Sequence, residues 1–580
     1  MSNFLSDLRF AVRQLRRDPG FALVAILTLG VGIGATTVIF SVFNGTVLRE
    51  LPYPESEQLV RLREVSPEGH LFSLSEPTFL DLRERSRSFS HLAAVSYRPM
   101  AVVGDGDTTL VNGTATTDGL FEMLGAVPLV GRAFLPTDFL TGAEAPTAII
   151  EHGFWERRFG GDPNVVGRTV DLDGKIRTIV GVMPRGFDFP YNTDVWLPFN
   201  PNQNAKRAEH VLESFGRLAP GVSLDLAAAD IDGIASQLGS EFPQSSREWG
   251  ATLTTFREWQ IGPSATRITI VLLGTVGLLL LLACASVSNL LLARTTGRQR
   301  ELALRASLGA LRPRILGQLI AESLVLAFFS ACVGLFFTAW VLPVIQVLET
   351  ETLPRLGEVT IDSTVLLFTV LITVITGVLC GAAPAFQASN ESFEQALRGG
   401  ERIVTGGSRR VREVLVTGQL ALAVVLLVGA GLLAKSFVRL LDNDPNAGAD
   451  LGLNAALVGL FATAALGLAA LGIYGVTAFS VARRKREIGV RMALGAEPRR
   501  IIGIALSSGT KLIVLGTGIG LIGALVLSRF LGSLLYEIRP SDPFTYAAVT
   551  LVLAVVAMIA NYLPARRATK IDPRVAFESE

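Results

Sequence analysis

The chain has 580 residues, 49% of them hydrophobic and 18% charged, with a formal net charge of +1 and a mean hydropathy of +0.45. Soluble domains carry about 25% charged residues, so this deficit points to a membrane protein. A balance so near zero gives no electrostatic argument for nucleic acid, and no nucleic-acid partner is expected.

Residues 1–20 open with an amphipathic helix. Within 4–17, Phe4, Leu5, Leu8, Ala11, Val12 and Leu15 share one helical stripe, while Arg9, Arg13, Arg16 and Arg17 mostly flank the other side. That pattern predicts an interfacial helix lying on anionic membrane lipids. Asp18-Pro19-Gly20 breaks it. The apolar run that follows is long enough to cross a bilayer and is followed by no A-x-A site, so no cleavable signal is expected.

Eight apolar segments read as spans: 21–47, 267–293, 318–347, 364–388, 413–434, 455–482, 508–535 and 544–564. Between the first two lies one large extramembrane segment, 48–266. Its runs at 147–150, 169–172 and 176–182 read as strands, with turns at Asp173-Gly174 and Gly160-Gly161, and 222–242 reads as an amphipathic helix. A mixed α+β domain is predicted there, its two ends side by side at the membrane. Cys284, Cys332 and Cys380 each fall in an apolar run and read as small packing residues rather than metal or disulfide chemistry.

Charge sets the topology. Arg294, Arg298, Arg300, Arg305, Arg312 and Arg314 lie in the loop 294–317; Arg398, Arg402, Arg409, Arg410 and Arg412 lie in 389–412. Arg483, Arg484, Lys485, Arg486, Arg491, Arg499 and Arg500 lie in 483–507, and Arg566, Arg567, Lys570 and Arg574 in the tail 565–580. The alternate loops are acidic or nearly neutral, including the short external loop 435–454. Every basic loop therefore shares a side with the amino terminus, which the positive-inside rule places in the cytoplasm. An even number of spans returns the carboxyl terminus there.

The loops also repeat. RELALRASLGA at 300–310 matches REIGVRMALGA at 486–496, and Pro384-Ala385 and Ala388 match Pro564-Ala565 and Ala568 two spans later. The predicted fold class is thus a polytopic α-helical membrane protein of eight spans in two parallel four-span repeats, plus one mixed α+β domain between spans one and two. Glu301 precedes Arg305 by one helical turn, as Glu487 precedes Arg491, the favourable order for a pair on one face. Gly309 and Gly495 suit the left-handed position that ends a helix. Each loop should hold a short, rigid, charged helix. The plain alternative is a basic juxtamembrane anchor, which the second matched copy disfavours.

Several motifs look like chemistry. Gly518, Gly520 and Gly523 satisfy G-x-G-x-x-G, but inside an apolar run; Gly516 and Gly520 better fit small-xxx-small helix packing, as do Gly30 and Gly34 in span one. GAGLLAKS at 429–436 has Ala434 where a phosphate-binding loop needs glycine before Lys435. His70, His91, His152 and His210 lack ligand spacing, and neither H-E-x-x-H nor G-x-S-x-G occurs. No catalytic residues, metal or bound cofactor are expected. Within the spans only Glu322 and Lys511 approach the apolar zone, so energy is expected from outside the bilayer.

At these residues the chain resembles the MacB/FtsX class of ABC permeases, and within it the duplicated, ATPase-free orphan permeases of acidobacteria (ADOP-like). The carrying stretches are 7–53, FWERRFGGDP at 154–163, VGRTVDLDGKIRTIVGVMP at 166–184 and GIYGVTAFSVARRKREIGVRMALGA at 472–496. The resemblance implies a MacB-like periplasmic domain at 48–266 and FtsX-like permease modules centred on 318–388 and 508–564, in a bacterial inner membrane. It implies ATPase-coupling contacts at Arg300, Glu301, Arg305, Gly309, Arg486, Glu487, Arg491 and Gly495. It also implies a separate ABC ATPase subunit that binds the ATP, and a periplasmic adaptor or lipoprotein as a further partner. The family's second half carries its own periplasmic domain; here 442–454 is nearly all that joins spans five and six. The expected function is the permease subunit of an efflux or mechanotransmission complex. The alternatives are a non-transporting transducer acting on a periplasmic partner, or a degenerate permease.

Overall fold

A computed structural model describes residues 2–103, 108–139, 146–187, 189–190, 192–297, 312–347, 359–390, 405–443, 459, 462–470, 474, 498–532 and 538–568. The chain divides into two compact units, Glu50–Pro263 and the remainder.

The Glu50–Pro263 unit is built on a mixed sheet. Its strands are β1 (Leu59–Val65), β2 (Leu71–Phe72), β3 (Phe89–Val103), β4 (Thr108–Thr116), β5 (Val130–Gly131), β6 (Thr147–Ile150), β7 (Thr169–Leu172), β8 (Lys175–Val182), β9 (Val195–Pro198), β10 (Glu213–Leu218) and β11 (Gly250–Thr255). They run in the order β11-β1-β10-β3-β4-β9-β6-β8-β5, with β2 beside β1 and β7 beside β3 and β8. Side chains alternate between faces along a strand, and here both faces are covered. β1 sends Leu59 to one core and Val60 and Leu62 to another; β3 does the same with Ala93 and Val95 against Leu92 and Ala94.

The first core is aromatic: Trp196, Phe189, Phe215, Phe256 and Phe121 pack together, and the Trp196 indole N–H donates to the Phe189 carbonyl at 2.7 Å. The second core takes Phe79 and Leu82 from one helix, Glu76–Arg85, and Ile231, Ile234 and Leu238 from another, Leu224–Glu241. Ser75 and Ser223 cap these helices by accepting from the N–H groups of Thr78 and Leu226. The hairpin between β7 and β8 turns at Asp173 and Gly174, both at positive φ, +53° and +78°.

The strands and the helix fall where the alternation and turn residues place them. β1 pairs antiparallel with β11, Val60 opposite Thr255, so the strands nearest the domain's entry and exit are neighbours. Beyond β11, helix Phe256–Gly297 is interrupted at Gly262 (φ +67°, ψ +145°), where the domain ends and the second span begins.

Among the described residues of the other unit, seven helices are long and apolar enough to cross a membrane: Pro19–Leu48, Thr266–Thr295, Arg314–Gln346, Ser363–Ala385, Arg410–Ser436, Gly509–Phe530 and Pro543–Leu563. These correspond to spans one to five, seven and eight. The sixth, 455–482, lies largely outside the described residues, with 462–470 helical. The amphipathic helix Ser2–Arg17 ends where expected; Asp18 caps span one and Pro19 fills its first turn, which needs no N–H donor there. Pro343 and Pro384 sit inside helices, which neighbouring helices tolerate in a bundle.

Truncating Trp196, fully buried with its N–H paired, leaves a large cavity and an unpaired carbonyl. Trp196→Ala should destabilise the domain by about 3–5 kcal/mol, measurable as an earlier transition in urea. A change under 1 kcal/mol would contradict this account of the core.

Candidate functional site

The membrane unit consists of its packed spans, and the two halves pack them the same way. In the first half, spans one, three and four pack against one another; in the second, spans five, seven and eight do. Close approach of two helices in lipid requires small residues, because packing replaces the missing hydrophobic drive.

Gly30 and Gly34 of span one lie against span three. A Cβ on Gly30 would meet the Val333 side chain at 3.1 Å, and one on Gly34 would meet the Gly334 backbone at 3.1 Å. Gly516 and Gly520 of span seven lie against span five: their added Cβ atoms would stand 2.6 Å from Leu420 Cβ and 2.7 Å from Val424 Cβ. The four glycines thus occupy the corresponding interface of each half, on opposite partners. The first half uses the first span, and the second half uses the third.

The far ends of the spans, where span one runs on into residue 50, carry a second matched feature. Asp362 precedes span four and accepts from the Val365 N–H at 2.9 Å and from Asn44 Nδ2 of span one at 2.9 Å. Asp542 precedes span eight and accepts from the Thr545 N–H and hydroxyl at 3.1 and 2.6 Å, and from Lys435 Nζ of span five at 2.7 Å. Each aspartate caps the fourth span of its half and ties it to the first. The ammonium of Lys435, then the Thr545 hydroxyl, pull the Asp542 carboxyl down to about 2. Lys435, which in sequence resembles a phosphate-loop lysine, is an ion-pair partner here.

Between the halves a buried polar chain crosses from span two to span five. Gln419 Nε2 donates to Ser286 Oγ at 2.9 Å, and Asn289 Nδ2 donates to Gln419 Oε1 at 3.1 Å. All three residues are buried. Such interhelical bonds average only about 0.6 kcal/mol each, so their main effect is to fix register. Glu322 is also buried and accepts from Gln318 Nε2 at 3.4 Å, whereas Lys511 is exposed.

At the near end, Arg294 on the last turn of span two donates to the Gln14 carbonyl at 2.9 Å and lies 4.7 Å over the Phe21 ring. It fastens the corner between the amphipathic helix and span one to the beginning of the first Arg-Glu loop. The amphipathic helix also packs on the helix that follows that loop, Arg312–Val347. Arg300, Glu301, Arg305, Gly309, Arg486, Glu487, Arg491 and Gly495 lie outside the described residues, as does most of the short connection between spans five and six.

Sequence patterns did not single out Asn44, Ser286, Asn289, Gln419 or the Lys435–Asp542 pair. Each is one polar residue in an apolar run, and only the fold shows which run faces it. The match of Asp362 and Asp542 was available: they stand as far apart as Pro384 and Pro564.

Known families match most of the chain. Residues 22–234 match the MacB-like periplasmic core domain, and residues 273–393 and 459–573 match the FtsX-like permease C-terminal domain. The two FtsX-like stretches begin as far apart as Arg300 and Arg486. An uncharacterized ABC transporter permease of Bacillus subtilis, YknZ, is 24% identical over 57% of this chain and 85% of its own length. The pyoverdine export ATP-binding/permease protein PvdT of Pseudomonas syringae pv. tomato is 35% identical over 21% of this chain, a match that spans 19% of that protein. The solved extracellular domain of YknZ from Gram-positive bacteria aligns with 34% of this chain and 99% of its own at 16% identity, with a TM-score of 0.27.

The Lys435–Asp542 pair predicts a pH signature. The folded carboxyl titrates at about 2 against an ordinary 3.8, so its stabilisation is present above the ordinary value and is lost as pH falls through about 2. Lys435→Met should lower thermal stability at neutral pH, and the gap to the parent should close between pH 4 and pH 2 as both carboxyls protonate. A gap that stays constant over that range would show that the pair is not ionic.

With an MacB-like domain after its first span and FtsX-like sequence in both halves of its membrane unit, this chain belongs to the MacB/FtsX-type ABC transporter permeases and is a transmembrane permease component.

Proposed function

We propose that this permease is driven by a separate ABC ATPase docking on the two Arg-Glu loops, and that it transmits the resulting motion to the Glu50–Pro263 domain to drive efflux. The observation that carries the reading is the repeated packing of first, third and fourth spans, with the Arg-Glu sequence placed between second and third spans in each half. A machine driven at two equivalent points needs two equivalent receivers. The four glycine contacts make each receiver stiff, because backbones in contact move together.

Three further facts support the reading. The 580 residues hold no complete Walker A sequence, and families of this type work with an ATPase. The positive-inside rule, applied to the basic loops, supports a cytoplasmic amino terminus and with it a periplasmic Glu50–Pro263 domain. The relatives named as export proteins carry ATP-binding and permease functions together. A non-transporting transducer would share all of this apart from substrate flux; a domain that crosslinks to a periplasmic protein partner while no substrate moves would identify it.

The test is charge reversal at the loops. Glu301→Arg and Glu487→Arg should each weaken nucleotide-dependent association of the purified permease with its cognate ATPase by about tenfold, roughly 1.4 kcal/mol for one charge-assisted contact. Together they should abolish it. Undiminished association of the double variant would overturn the docking site.

A further inference from the structure

The four histidines are scattered in the sequence; His152 lies 3.7 Å from Glu156 one turn along its own helix, and the fold brings His210 onto a carboxylate distant in sequence. His210 Nδ1 lies 2.7 Å from Glu64 Oε2, with both side chains largely buried. The ring stacks on Trp249, centroids 4.6 Å apart at 17°, and Phe72 stands 5.2 Å from it. Glu64 comes from β1, Phe72 from β2, and Trp249 immediately precedes β11.

His210 belongs to the connection from β9 to β10, which crosses the domain surface as a strap. Besides the bond from the Phe199 N–H to the Thr116 carbonyl at its start, four contacts fasten it along its length. The Asn202 N–H donates to Glu76 Oε2 at 2.6 Å, Arg207 pairs with Asp81 at 2.5 Å, and Leu212 exchanges backbone bonds with Leu74. The fourth is His210. Of these side chains, histidine is the one whose ordinary value lies near neutral pH.

We propose that His210, Glu64 and Trp249 form a proton-operated clasp, which holds the 199–212 strap to the sheet while the imidazole is protonated and releases it as rising pH removes that proton. The imidazolium fits this place better than the neutral ring. It faces the Glu64 carboxylate and the backbone of Ser73, two acceptors that a ring with a single N–H cannot both satisfy. Its positive charge also lies against the π-face of Trp249, where a cation is attracted.

Charged neighbours do not reverse this. Among the described residues, Glu64 is the charged group acting on the ring. β2 contributes Phe72, and the segment before β11 contributes Trp249. Arg63 of β1 donates to the Leu71 carbonyl, and Glu209 pairs with Lys206. Glu64 raises the histidine above its ordinary value, so the clasp's stabilisation is fully present below about pH 6.5. It disappears as pH rises through the raised value.

The experiment uses the full chain in detergent and needs no ATPase, so its outcome is independent of the docking proposal. Hydrogen exchange of peptides covering 199–212, corrected for the intrinsic pH dependence, is measured from about pH 6 to about pH 9. Protection in the parent should fall about tenfold across the histidine titration. Trp249 emission should rise in step, as the quenching imidazolium is lost, and Trp249→Phe should remove that change. In His210→Gln the strap should show the weaker protection at every pH. Constant protection in the parent overturns the clasp, as does an equal pH-dependent loss in His210→Gln. If that variant does not fold, the parent titration, read with Trp249→Phe, decides the matter alone.

Discussion

In each half of this permease the first and third spans touch backbone to backbone, and the rest of the membrane unit is arranged around that contact. Lipid offers no hydrophobic reward for bringing helices together, so the association rests on dispersion and on the few polar bonds that close approach permits. A single Cβ at Gly34 or Gly520 would intrude on the facing helix. The fourth span then packs on this pair and is tied to the first by its capping aspartate, Asp362 or Asp542.

The repeat conserves geometry while exchanging residues. Glycine sits on the first span in one half and on the third in the other. The far-end tie is an amide–carboxylate bond in one half and an ion pair in the other. The polar chain through Gln419 joins the halves from span two to span five. Within a common packing plan, the halves therefore differ in electrostatics. They differ more in what they carry, since residues 50–263 stand between spans one and two while only 435–454 separates spans five and six in the sequence. A common packing plan thus carries an asymmetric load.

Much of this was legible in the sequence for physical reasons. Apolar runs of twenty residues have few alternatives to spanning, and strand alternation with Asp173-Gly174 between β7 and β8 dictates a hairpin. The helix at Leu224–Glu241 announces itself through Ser223 and its periodic Ala227, Ile231, Ile234 and Leu238. Gly30, Gly34, Gly516 and Gly520 were readable as packing residues by spacing, but their partners were not, because spacing on one helix says nothing about which neighbour it meets. Lys435, which the sequence already excludes as a phosphate-loop lysine, finds its carboxylate partner only in space. Ser286, Asn289, Gln419 and the His210–Glu64 pair were hidden, since each joins residues more than a hundred positions apart.

The central claim is that force enters at the two Arg-Glu loops and is felt in the Glu50–Pro263 domain. Its most direct test is hydrogen exchange of that domain in the permease–ATPase complex, with and without a non-hydrolysable ATP analogue. The account predicts that nucleotide alters exchange along β1 and β11, the strands that lead from span one and into span two, and that the Glu301→Arg, Glu487→Arg double variant loses this response. A domain whose exchange ignores nucleotide in the parent complex, or responds equally in the double variant, would contradict it.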